Sequence, residues 1–328
     1  MISFFTQATE IDWRDKTYTI SAALKQMLLL ATVLTLIYWV IGLMIPESLI
    51  PIKWSDQREQ YLTGFYGLQH PYEAYGFFNP PWTLLIMLPF NFVPFEVGVL
   101  LQGILYHCVL TIIAFKFTPA NFDEKNKRLA ALAIITSPFM ADFILELNND
   151  WVPAIGLLMP PVLSPIFILA KPQNAIGYFF SFEWKKLVRA VLVGSATVVA
   201  SFFIWGFDWP LRAYNGIQRA SLGESFSAAP MKYIGVLPSI LIGSLLIGYV
   251  LYRVHGKPVP ERLREQQRHD LALFAIFGGF FFAPYIAGYS LALIFALLGA
   301  KVPRILLAFN VLLWIVAIVW LVIIVGSM

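Results

Sequence analysis

Apolar residues fall in long blocks along this chain, and polar residues collect in the gaps between them. A block of about twenty residues has the length of a membrane-crossing helix. The pattern predicts a first span over 22–44, a short re-entrant helix over 84–90 and an inward span over 95–115. Further spans are predicted over 129–145 outward, 151–170 inward, 187–205 outward and 233–251 inward. A tight pair, 271–282 and 285–298, and a last span over 305–325 complete the set. The expected fold is all-α: one polytopic membrane domain over 1–328 with about eight to ten transmembrane helices. Pro153, Pro160, Pro161 and Pro165 share one block, so that span is the one expected to bend.

Composition agrees with the pattern. Hydrophobic residues make up 59% of the chain and charged residues 13%, against about a quarter charged in soluble domains. Charge also fixes an orientation. With 54–81 placed outside, 18 of the 23 Lys and Arg fall on the opposite side, and Lys53, Arg58, Arg212, Arg219 and Lys232 stay outside. The positive-inside rule then makes 1–21 a cytoplasmic N-terminus and 253–270 a basic cytoplasmic loop facing anionic headgroups. Segments 46–83 and 206–233 become outer loops. Making 84–90 a full span would send Lys125, Lys127 and Arg128 outside, so re-entry is preferred. The first block is longer than the apolar region of a signal peptide and has no small-residue cleavage site behind it. It reads as an uncleaved span of the cytoplasmic membrane.

The polar chemistry on the outer side concentrates between Trp54 and Pro89. Ser55 can cap a helix that Asp56 opens, with Tyr61, Leu62, Phe65, Tyr66 and Leu68 on one face. Such a helix lies in the membrane interface. A carboxylate in its first turn is favoured by the helix dipole and stays ionised, able to accept a proton. Consecutive prolines deny the following residues, His70 to Pro81, a regular helix. Elsewhere, Cys108 is the single cysteine and forms no internal disulfide. The four His are scattered without ligand spacing, so no metal site is expected. No glycine-rich phosphate loop is present, and nucleic acid is not among the expected partners.

The order and spacing of several residues carry a resemblance. Asp56 follows the first span and precedes Pro71-Tyr72 by about fifteen residues; Phe78-Asn79-Pro80-Pro81 then leads into an apolar run holding Pro89. Further on, Asn148-Asn149-Asp150-Trp151 stands about twenty residues before Lys171-Pro172-Gln173. Together with Tyr61 and Gly67, these residues resemble the polyprenol-phosphate-sugar glycosyltransferases of glycosyltransferase family 87, in the GT-C membrane superfamily. The likeness covers roughly residues 20–175. Leu147 stands where the family has a glycine.

The resemblance implies a GT-C-like fold and a catalytic base at Asp56. Such transfer also needs cations or amides on the departing phosphate. Arg58, Arg212, Arg219, Lys232 and His70 are the outer candidates, and Arg212, after the Trp209-Pro210 turn, offers the two-pronged donor set suited to phosphate. Glu73, Glu146 and Asp150 could position acceptor hydroxyls, with Tyr72, Asn79 and Asn148 as further substrate-binding residues. The predicted topology puts Lys171 on the cytoplasmic side, where it would end and anchor a span.

Three functions are carried forward. The first is a membrane glycosyltransferase moving a sugar from polyprenyl phosphate to an acceptor outside the cytoplasmic membrane, with inversion. It uses no cofactor beyond the lipid-linked sugar, and its partners are that donor and membrane lipids. The second is a non-catalytic relative acting as an accessory subunit of a larger membrane complex. The third, a small transporter or lipid-handling protein, is disfavoured because charges gather in the outer loops and not at mid-membrane, where coupling sites lie.

Overall fold

The computed structural model describes residues 9–13, 16–46, 54, 57, 68, 70–73, 77, 79–223, 228–256, 259–283, 286 and 290–326. The interfacial helix expected after Ser55 falls almost wholly outside them. The described chain is helical apart from one feature absent from the all-α expectation. Strands β1 (Thr9–Trp13) and β2 (Lys16–Ile20) pair antiparallel, with Trp13 opposite Lys16, and lead into the first helix.

Four helices are long and apolar enough to cross a membrane, among the described residues: α1 (Ala22–Met44), α3 (Phe95–Lys116), α9 (Trp184–Trp205) and α12 (Val236–His255). This is a membrane protein. Ser21 caps α1 by accepting a hydrogen bond from the Leu24 N–H at 3.2 Å. Burial separates the four helices. The most apolar window of α3 is 61% buried, against 17% in α1 and α9 and 22% in α12. Thus α3 forms the centre of the bundle, while α1, α9 and α12 turn residues such as Leu192, Phe203 and Leu245 outward as a lipid-facing surface.

One end of the bundle is basic and held by polar contacts. The helix α13 (Glu261–Phe280) brings Glu265 to 3.4 Å from Lys116, at the end of α3. Arg264 reaches Glu183, just before α9, at 3.0 Å. Lys301, ending α14 (Leu291–Lys301), donates to the Phe117 carbonyl at 2.9 Å and pairs with Asp270 at 2.7 Å. His269 stacks on Phe117 with ring centroids 4.1 Å apart. Burial pushes its pKa down to about 3, and Lys116, Arg268 and Lys301 act in the same direction, so it stays neutral among these cations. The opposite end is marked by Trp39, whose ring nitrogen donates to the Glu96 carbonyl at 3.0 Å.

Several apolar blocks are broken into shorter pieces. The predicted span 129–145 is divided by Pro138 into α4 (Glu124–Ile135) and α5 (Pro138–Glu146). The segment after Trp82 forms α2 (Thr83–Met87) and a 3-10 turn (Leu88–Phe92), too short to cross. The predicted inward span 151–170 is not a span. It folds as α6 (Trp151–Leu158), a turn through Pro160 and Pro161, and α7 (Ser164–Ile168), which returns along α6. Ser164 closes this hairpin by donating to the Gly156 carbonyl at 2.7 Å. The pair 271–282 and 285–298 also fails to cross, because the apolar part of α13 and all of α14 each rise only about 15 Å. The two remaining long helices are α10 (Trp209–Gly223) and α15 (Pro303–Gly326). Between α10 and α12 lies α11 (Pro230–Ile234).

After α7 the chain runs along α13 as α8 (Pro172–Ala175) and a 3-10 turn (Ile176–Ser181). Their approach depends on one glycine. A Cβ on Gly177 would stand 1.9 Å from the Ala275 carbonyl oxygen and 2.8 Å from its carbon, both backbone atoms. Gly177→Ala should therefore destabilise the protein by about 3 kcal/mol, at the upper end of overpacking costs. Gly279→Ala, whose Cβ would meet nothing closer than 3.0 Å, should cost less. Thermal melts in detergent check the order, and an unchanged melting temperature for Gly177→Ala would refute the close contact.

Candidate functional site

The base of the α6–α7 hairpin gathers the strongest polar chemistry in the described bundle. Lys171 donates from Nζ to Asn148 Oδ1 at 2.9 Å and forms a short ion pair with Asp150 Oδ1. Ser290, preceding α14, donates to Asp150 Oδ2 at 2.7 Å. All four side chains are buried: Lys171 is 4% exposed and Asp150 2%. Both Asp150 oxygens are engaged, so this carboxylate holds Lys171 in place.

The cluster lies inside the helical bundle, away from the basic end. Along α14, Ser290 stands eleven residues before Lys301, about 16 Å at helical rise. Along α3, Gln102, which accepts from Trp151, lies fourteen residues before Lys116 and seven after Phe95. A buried ion pair inside an apolar bundle is costly and points to function.

The local sequence explains the turn. Leu147 has φ 44°, in the left-handed region that favours glycine, and it ends the run from α5. The Asn149 N–H donates to Asn148 Oδ1 at 2.6 Å, tightening the reversal. On the far side, Pro172 starts α8 immediately after Lys171. Thr83 donates to the Ala170 carbonyl at 3.3 Å and Trp82 to the Ile166 carbonyl at 3.1 Å, so α2 buttresses the returning strand of the hairpin.

A second set of hydrogen bonds ties residues that follow α1 to the same turn. Trp54 donates to the Ile144 carbonyl at 2.9 Å, and Gln57 to the Leu147 carbonyl at 3.0 Å. Gln57 Oε1 accepts from Gln102 at 2.9 Å, and Gln102 Oε1 accepts from Trp151 at 3.3 Å. Trp54 and Gln57 bracket position 56 in sequence, while Asp56 and Arg58 themselves lie outside the described residues.

The other expected site residues divide. Tyr72 donates to the Asn79 carbonyl at 3.0 Å, and Asn79 is buried. Burial raises the Tyr72 pKa while the Arg212 charge opposes it. Arg212 is itself bound to Asp208 at 2.7 Å, with both side chains about half exposed. It is a surface pair, not a buried phosphate clamp. His70 is exposed, Glu73 contributes its backbone to a 3-10 turn (Pro71–Glu73), and Glu146 is half-buried at the end of α5. No group of His, Cys, Asp or Glu fit for a metal ion occurs among the described residues.

One sequence expectation is corrected here. Lys171 is not at the basic end: the 151–170 block doubles back and delivers it to Asp150. Asp150 is bonded by Lys171 and Ser290. A buried charge pair is thus present inside the bundle. The four prolines in the block carried the signal for a reversal, and the polar Gln102 in an apolar helix carried a second one. Nothing in the local pattern distinguished Ser290.

Comparison with protein families, curated proteins and solved structures finds no match to this chain.

Proposed function

We propose that this protein is a membrane glycosyltransferase that moves a sugar from a polyprenyl-phosphate donor to an acceptor on the outer side of the cytoplasmic membrane, with inversion. The observation that carries the reading is the meeting of the two later landmarks of the resemblance. Asn148 and Asp150 bond Lys171, 23 and 21 residues away in sequence, and Gln57 joins the same turn to the loop that holds Asp56. In this reading Asp56 takes the acceptor proton, and Lys171 offsets the charge gathering on the departing phosphate. The basic end faces the cytoplasm together with the N-terminus.

The test is donor turnover by the full chain in proteoliposomes. Polyprenyl phosphates carrying labelled mannose, glucose or arabinose are supplied with membrane extract as a source of acceptors. The expected result is protein-dependent release of bare polyprenyl phosphate from one of them, with label moving to a second product. Release from none of the three would overturn the reading.

One observation favours a second reading, movement of a lipid-linked substrate across the membrane. A broken helical hairpin with a buried ion pair at its base is also the architecture of transporter sites. Transport predicts label crossing the bilayer with the donor intact, which the same proteoliposomes distinguish.

A further inference from the structure

Asn149 stands between the two residues that hold Lys171, and its side chain is fully buried. Neither its Nδ2 nor its Oδ1 has a hydrogen-bond partner. Among the described residues it is the single side chain with two polar atoms buried and open in this way. Asn310, by contrast, has only Oδ1 open. Protein interiors pair nearly all such groups, because a buried amide with neither end engaged is strongly unfavourable. An amide left open between the two residues that bond a buried lysine marks a place for a ligand's polar atoms.

The chemistry of that ligand follows from the two groups. An amide presents two N–H donors and one carbonyl acceptor. A phosphate can only accept from it, which would leave Oδ1 unpaired. A sugar hydroxyl both donates and accepts and so answers both ends of the amide, while Lys171 answers an adjoining anion. We infer that Asn149 recognises the sugar hydroxyls of a glycosyl phosphate whose phosphate is taken by Lys171. The inference rests on the glycosyltransferase reading and names the residue by which the donor's sugar is distinguished from its lipid phosphate.

The experiment compares binding of bare polyprenyl phosphate with the same lipid carrying mannose, glucose or arabinose, using the full chain in detergent. Wild type is expected to bind one glycosylated lipid at least about tenfold more tightly than the bare phosphate, as loss of paired hydrogen bonds at a buried amide requires. Asn149→Leu, close in volume, should bind all four lipids alike, keep its affinity for bare phosphate within about twofold, and melt no lower than wild type, since it removes an unpaired polar group. A preference that survives in Asn149→Leu overturns the inference. A lowered melting temperature also overturns it, because the amide would then have a partner within the protein. Wild type that binds bare phosphate but prefers no glycosylated lipid overturns the assignment to Asn149 alone, since donor turnover can still occur. Wild type that binds none of the four overturns the transferase reading itself.

Discussion

Lys171→Met should cost about 3–5 kcal/mol of stability, the usual penalty for removing one partner of a buried ion pair. The loss arises at Asp150, which would keep one hydrogen bond from Ser290 and no neighbouring cation from its own turn. Lys171→Met combined with Asp150→Leu should recover most of the melting temperature, because apolar residues of similar volume replace buried ion pairs at little cost or with a gain. A double variant as unstable as the single one would refute the pairing as the source of the loss. The two variants also separate stability from activity. If Lys171 offsets charge on the leaving phosphate, the restored double variant folds yet does not consume donor.

The second large effect is expected at Asp56. Asp56→Asn keeps the size of the side chain and removes its capacity to accept a proton. Loss of a positioned general base lowers turnover by about 10²–10⁴-fold. Donor binding should be unchanged, since Lys171 and Asn149 are proposed to hold the donor. Single-turnover transfer with saturating donor measures the chemical step without the binding step. Turnover within a few-fold of wild type would remove Asp56 from the base role and return attention to Glu73 in the same loop.

The long helices were legible because length and composition suffice to define them. The predicted spans 22–44, 95–115, 187–205 and 233–251 agree to within a few residues with α1, α3, α9 and α12. The basic end was legible for a similar reason: Lys116, Arg264 and Lys301 sit in polar gaps, and their partners Glu265, Glu183 and Asp270 gather there with them. Blocks 151–170, 271–282 and 285–298 fold into pieces too short to cross alone. Apolar residues fit the membrane interior equally well in one straight helix or in two halves that turn back, so hydropathy does not tell the two apart. Leu147, an unexpected leucine in the sequence, is explained by the fold: its left-handed backbone is the conformation a glycine would favour, and its buried side chain packs in the core.

By itself, the sequence determined that this chain belongs in a membrane, where its four longest apolar helices fall and which end gathers the positive charge, because those properties depend on local runs of residues. The position of Lys171 was decided only by tertiary structure. A buried charge is tolerable only beside a partner, and its partners Asn148 and Asp150 come from the other end of a hairpin whose reversal no single stretch of residues specifies.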